Sequence, residues 1–308
     1  METKTITPNE FTNIMRSHEI WRASDGREGK QAVFKNYDLS QVSFASLNLS
    51  CADFSEAVIP NNNFSGASLV NADLSHAVLT GCNLSDADFT GADLQKADLE
   101  NTICSRTNFF SVTANGASFN GADLYMSNFF CSKLADTKFE NVSAVSACFN
   151  NADLSKARLD HSNFTCSEFN QASLDSAICN ATNFNEVSLV KADMKNARLD
   201  ECRFTGANMK YADMKNASIN LTSFYKASPI ADVKTNESLL SVSVDTNHSF
   251  IYNVNRDQVS FSDHKPPVSM TAFLRLPKIA NNQLLANICQ SIKINRDRFL
   301  SSRKNISR

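Results

Sequence analysis

Residues 72–100 read ADLSHAVLTGCNLSDADFTGADLQKADLE, and this stretch decides the architecture. Leu74, Leu79, Leu84, Phe89, Leu94 and Leu99 recur every fifth position, which is the period of neither a helix nor an ordinary strand. Working outward, the same phase runs from Phe34 to Phe224, 39 centres without insertion or deletion, of which 35 are Leu, Phe, Ile or Met. Two residues before each centre is a second, smaller position, mostly Ala, as at Ala52, Ala57, Ala67, Ala72 and Ala77, and otherwise usually Ser, Thr, Val or Cys. The unit is small-x-large-x-x, and fixed self-similarity of this kind predicts a solenoid.

Phenylalanine sets the number of units per turn. Fifteen centres are Phe; ten pairs of them are 20 residues apart, against two pairs at 15 and two at 25. Large rings favour stacked neighbours in a core, so four pentapeptides per coil is the reading. It predicts a column Phe89, Phe109, Phe129, Phe149, Phe169 and another Phe164, Phe184, Phe204, Phe224. Nearly ten coils at the usual strand spacing make a rod on the order of 45 Å long. Asn62 breaks the small-residue rule and reads as a buried amide bonded to backbone rather than as a ligand.

The pattern, and GADLQKADLENT at residues 91–102 in particular, resembles the pentapeptide repeat proteins over residues 32–227. The resemblance implies a right-handed quadrilateral parallel β-helix, a bacterial source and no catalysis by the repeat itself. Some members of that family, the quinolone-resistance proteins, imitate DNA and bind gyrase; others are secreted effectors acting in host cells. This chain departs from the gyrase-binding members in having no loops between coils and in carrying a long basic C-terminal segment.

The expected fold class is therefore an all-β solenoid, with a short N-terminal helical cap at 1–31, the β-helix at 32–227 and a small α+β segment at 228–308. Phe11, Ile14, Met15 and Trp21 at helical spacing predict a helix over residues 8–22 that covers the first coil, with Trp21 as its core anchor. The five-residue rule stops at Pro229 and Lys234. Beyond it, alternation from Leu239 to Val254 around DTNH predicts a hairpin. Leu284, Leu285, Ile288 and Ile292, with Lys293, Arg296 and Arg298, predict a basic amphipathic helix over about 281–301. Such a helix packs on its own domain, carries a dimer contact, or touches a membrane or nucleic acid.

Charge and residue types narrow the function. Residues 32–126 hold ten acids and three bases, residues 127–226 hold 11 of each, and residues 227–308 hold six acids and 11 bases. No apolar run approaches a membrane span, and the N-terminus lacks the plan of a secretory signal. A cytoplasmic protein is expected, or alternatively one secreted into a host cell without such a signal. The nine cysteines have no partner one coil away and are expected as reduced thiols. His18, His76, His161, His248 and His264 make no metal spacing, and no Gly-rich phosphate loop is present. No cofactor, metal or catalytic residue is assigned, and the chain reads as no enzyme.

One surface feature carries a physical consequence. At 20-residue spacing Asp53, Asp73 and Asp93 stack on one face, continued after a gap by Asp153, Asp193 and Asp213, while Asp88 and Asp98 fall on other faces and Lys133 interrupts the stripe. Asp53, Asp73, Asp93, Asp88 and Asp98 are the candidate partner-binding residues, since a sustained negative field recruits a basic partner. The competing reading is that Asp serves solubility or bonds its own turn. The expected function is a non-catalytic protein–protein interaction scaffold. Its alternatives are a DNA mimic acting on a type II topoisomerase, with no direct nucleic-acid contact, and a secreted effector.

Overall fold

A computed structural model describes residues 4–35, 37–39, 42–219, 221–224, 226–228, 233–234, 239–243, 249–253, 258–261 and 267–275. Its centre is a stack of coils in which residue i pairs in parallel with residue i+20. Four ladders run along the rod. The first face carries Asp53, Asp73 and Asp93, the second Val58, Val78 and Asp98, the third Asn63, Asn83 and Ile103, and the fourth Ser68, Asp88 and Asn108.

The pentapeptide works because all five of its N–H groups find acceptors. In the unit 73–77, Asp73 N–H donates down to Ala52 C=O at 3.0 Å, while Leu74 and His76 donate up to Asp93 and Gln95 C=O at 2.7 and 2.9 Å. Ala77 N–H closes the turn on Leu74 C=O at 3.1 Å. The remaining donor, Ser75 N–H, goes to Asp73 Oδ1 at 2.9 Å. A buried donor without a partner is costly, and the unit 73–77 leaves none.

Each corner is a turn with positive φ at its second central residue, the geometry of a type II turn. From Ser46 to Lys226 every second residue after a centre is in this region, with φ from 53° at Ser111 to 71° at Gly206. Only six of these 37 positions are Gly, although left-handed backbone costs an L-residue roughly 1–2 kcal/mol. From Ser46 to Asn196 each of these residues makes an upward hydrogen bond that holds the conformation. At three of the glycines, Gly81, Gly91 and Gly121, the fit is tight: a Cβ at Gly81 would lie 2.4 Å from Asn61 Oδ1 of the coil below.

The interior follows the predicted columns. Phe89–Phe109, Phe109–Phe129, Phe129–Phe149 and Phe149–Phe169 stack with centroids 5.2, 4.6, 4.9 and 4.8 Å apart. The second column stacks from Phe164 through Phe184 and Phe204 to Phe224 at 5.6, 5.1 and 5.1 Å. Rings on opposite faces meet edge to face, as Phe129 does with Phe119 and Phe139. Polar residues at the small position donate to the carbonyl of a centre on the coil below: Thr107 to Leu84, Ser132 to Phe109, Thr182 to Leu159. Asn62 behaves in the same way, its Nδ2 donating to Leu39 C=O at 2.9 Å and to Val42 C=O.

The N-terminal end is closed by two elements. Strand β1 (Lys4–Thr5) pairs in parallel with β2 (Tyr37–Asp38) and adds a partial rung to the second face. Helix α1 (Pro8–Ala23) starts with a capping box in which Thr7 and Glu10 satisfy each other's N–H groups. Its Phe11 meets Phe34 and Phe44 at 6.1 and 5.4 Å, and Ile14 and Met15 pack on the core. The anchor differs from the expected one. Trp21 is half-buried, and the fully buried side chain is His18, whose Nδ1 accepts from Ala32 N–H at 3.1 Å and whose ring stacks on Trp21. A helix that must satisfy a donor on the first coil places its acceptor there and leaves the larger ring outside it.

At the other end the register slips by one residue and then resumes. Lys234 pairs with Asp213, 21 residues away, its N–H donating to Ala212 C=O, so the ladder extends past the point where the sequence rule stops. The expected hairpin appears as β3 (Leu239–Ser243) and β4 (Ser249–Asn253), but it belongs to a four-stranded antiparallel meander with β5 (Gln258–Phe261) and β6 (Val268–Ser269), followed by α2 (Met270–Leu274). Strand β5 seats on the last coil: Leu221 N–H donates to Gln258 Oε1 at 3.1 Å and Ser260 Oγ to Thr222 C=O at 2.8 Å. The amphipathic helix expected over 281–301 lies outside the described residues.

Two measurements probe these statements. Phe129→Ala, in mid-column, is expected to cost about 3–5 kcal/mol in chemical denaturation, while an unchanged midpoint contradicts the stacking. Burial and the neighbouring Arg22 hold the His18 pKa below its usual value, so its contribution is present above pH 6.5 and is lost as pH falls through the lowered value. Protonation takes the acceptor from Ala32. The emission of Trp21, the only tryptophan, is expected to shift on acidification and to lose that dependence in His18→Gln.

Candidate interaction surface

The five candidate aspartates all precede a centre, where the side chain points outward and the backbone is held in a ladder. Asp53, Asp73 and Asp93 occupy three consecutive rungs of the first face, as the 20-residue spacing requires. Asp88 and Asp98 are not brought to them; they belong to the fourth and second faces. Thr113 and Lys133 follow on the first face before Asp153. Strand spacing puts successive carboxylates about 5 Å apart.

Every one of the five also has a structural task. Their Oδ1 atoms accept from the N–H two residues on, at Ser55, Ser75, Gln95, Thr90 and Glu100, over 2.9–3.0 Å. These are turn-closing bonds of the kind Asp and Asn make to their own backbone. Asn48, Asn63, Asn83 and Asn108 make the same bond, so the bond needs a side-chain oxygen and not a charge, while Val58, Val78 and Ile103 show that the position also does without it. Among the described residues the second oxygen of Asp53, Asp73 and Asp88 has no hydrogen-bond partner, whereas Asp93 Oδ2 accepts from Gln95 and Asp98 Oδ2 from Thr80.

Among the described residues no group of three His, Cys, Asp or Glu side chains is placed to hold a metal, and none of their helices is long and apolar enough to cross a membrane. Burial pushes the Cys82 and Cys104 thiols up to about 12 and raises Cys179 and Cys202 as well. The outward thiols Cys148 and Cys166 are also raised by desolvation and neighbouring carboxylates, the opposite of what a nucleophile needs. His76 and His161 are exposed turn residues with positive φ. Two shallow hollows are lined by described residues. One of about 440 Å³ lies between α1 and the first coil, with Arg16 and Arg22 at its rim; the other, of about 420 Å³, lies at the register slip among Lys191, Lys195, Tyr211 and Lys234.

One feature escaped the sequence reading. Phe110, Tyr125 and Met126 are exposed at 38%, 42% and 50%, on the two corners that border the fourth face, and Phe110 stacks on Phe130 at 5.9 Å and 6°. The signal was present as large apolar residues one or two places after a centre, phases that mostly hold small or polar side chains, with Tyr211 and Leu221 as further exceptions near the C-terminal end of the rod.

The turn role predicts a specific contrast. Asp73→Asn is expected to leave thermal stability unchanged, while Asp73→Ala strands the Ser75 donor and costs about 1 kcal/mol. Equal losses in both variants contradict the assignment.

Comparison with known proteins agrees with the coil geometry. The family described as pentapeptide repeats matches in eight copies, over residues 38–75, 67–103, 87–124, 152–189 and 182–224. Among solved structures, the chain is similar to HetL, a pentapeptide repeat protein involved in heterocyst differentiation regulation from the cyanobacterium Nostoc, with 23% identity and a TM-score of 0.56, over 72% of this chain and 96% of that one. QnrB1, a plasmid-mediated fluoroquinolone resistance protein, matches at 14% identity and a TM-score of 0.42, over 67% of this chain and 91% of that one. Comparison with curated proteins returned no match. With its repeats matched over half its length and its fold that of a right-handed quadrilateral β-helix, the chain belongs to the pentapeptide repeat family.

Proposed function

We propose that this protein is a non-catalytic interaction scaffold of bacterial origin whose partner is another protein. The observation that carries the reading is the first-face ladder, where Asp53, Asp73 and Asp93 sit on consecutive rungs of a rigid rod with no cation in that ladder before Lys133. Carboxylates fixed at strand spacing sum their fields without a conformational cost at binding, which suits a basic surface on the partner. Asp88 and Asp98 extend the negative region around the neighbouring faces. Affinity capture tests it: the wild-type chain is expected to retain a protein that Asp53→Asn/Asp73→Asn/Asp93→Asn, with its turns intact, does not. Identical captures by both chains contradict it.

A second reading, DNA mimicry against a type II topoisomerase, is favoured by the ten acids against three bases in residues 32–126. The ladder argues for a shorter footprint, because Thr113 and Lys133 end the run after three rungs. Under this second reading stoichiometric protein inhibits gyrase supercoiling; unaffected supercoiling excludes it.

A further inference from the structure

We infer that the fourth face is a self-association surface on which two copies of this chain pack antiparallel. Large apolar groups exposed together on a soluble protein mark interaction sites, and here Phe110, Tyr125, Met126 and the half-buried Phe130 border one face within two adjacent coils. The pairing goes beyond the scaffold reading, since it uses a different face and leaves the Asp53–Asp73–Asp93 ladder open.

The occupant is a second copy because the face is complementary to itself. The ladder runs Asn48, Ser68, Asp88, Asn108, Asn128, Cys148, Glu168, Ser188, with only two charges in eight rungs. A two-fold axis perpendicular to the rod, midway between the Asn108 and Asn128 rungs, sets Phe110 of each copy against Phe130 of the other and Asn108 against Asn128. On the opposite corner it sets Arg106, already bound to Asp86 through two hydrogen bonds, against the apolar Met126. Asp88 meets Cys148, and Glu168 meets Ser68, so no carboxylate faces a carboxylate. Moving the axis half a coil, onto the Asn128 rung, opposes Asp88 to Glu168 and sets Phe110 against Asn150, with only the Phe130 rings still paired. Only the midway register sets every Phe110 against a Phe130, and it does so without opposing two carboxylates.

Size agrees with a modest affinity. Eight rungs at about 4.8 Å by a face about 15 Å wide bury about 600 Å² per copy, or about 1,200 Å² in all, the low end for specific association. Rigid, preformed surfaces lose little freedom on pairing.

Sedimentation velocity of the full chain between about 1 and 100 µM is expected to show a monomer–dimer equilibrium with a micromolar constant. Phe110→Ser/Phe130→Ser, which alters only outward positions, is expected to abolish the dimer while leaving the circular dichroism spectrum and melting temperature unchanged. Ser68→Glu, which sets a carboxylate against Glu168 of the other copy, is expected to weaken pairing about tenfold, and Ser68→Lys to preserve it. A wild-type chain that stays monomeric at about 100 µM, or a dimer that survives either the double Phe variant or Ser68→Glu, overturns the inference.

Discussion

Closure of each coil after four pentapeptides is the constraint on which the rest of the molecule depends. It places residue i+20 over residue i, and only then can Leu74 donate to Asp93 and Asp73 to Ala52. The same repeat stacks the rings of Phe109 and Phe129 at 4.6 Å. Hydrogen bonding and packing therefore share a single periodicity. A change in the number of units per coil would break both at once, which is why the array admits no insertion from Phe34 to Phe224. The one slip that does occur, at Asp213–Lys234, comes where the rod gives way to the C-terminal sheet.

The surface inherits its order from that constraint. Outward residues form four ladders at strand spacing, so any side chain placed before a centre is repeated in space whenever it is repeated every 20 residues. Asp53, Asp73 and Asp93 become a line of charge in this way, while Asp88 and Asp98, equally close in sequence, are carried to other walls. The position favours Asp or Asn through the turn-closing bond, and charge is a variation on that preference. Function in such a rod is a matter of which ladder departs from the rule. The first face departs by unbroken charge near its N-terminal end, the fourth by exposed aromatic rings at mid-length.

Much of this was legible in residue order, for identifiable reasons. The five-residue period, the Phe pairs at 20 and the small partner position report directly on burial, and every described centre and ladder follows from them. Asn62 was legible because a buried amide has few options. The caps were less so. Trp21 was the obvious anchor by size, but the anchor is His18, chosen for an acceptor that Ala32 needs, and hydropathy carries no record of hydrogen-bond demand. The left-handed corner residues were hidden because Gly fills only six of 37 positions; the clue was that six of the eight glycines share one phase. Strands β5 and β6 are too short for alternation to register, and β5 is recognised by what Gln258 and Ser260 bond on the final coil.

The central claim concerns which residues are neighbours, and disulfide trapping reads neighbours directly. In a chain whose outward cysteines Cys51, Cys131, Cys148 and Cys166, together with Cys289, are replaced by Ser, Asp73→Cys/Asp93→Cys places two thiols on adjacent rungs, within the range a disulfide spans. Mild oxidation is expected to form an intrachain disulfide in that variant and none in Asp73→Cys/Asp88→Cys, whose thiols lie on different faces. Rapid bridging of the 15-residue pair, with the 20-residue pair remaining reduced, would contradict four units per coil and the stacking built upon it.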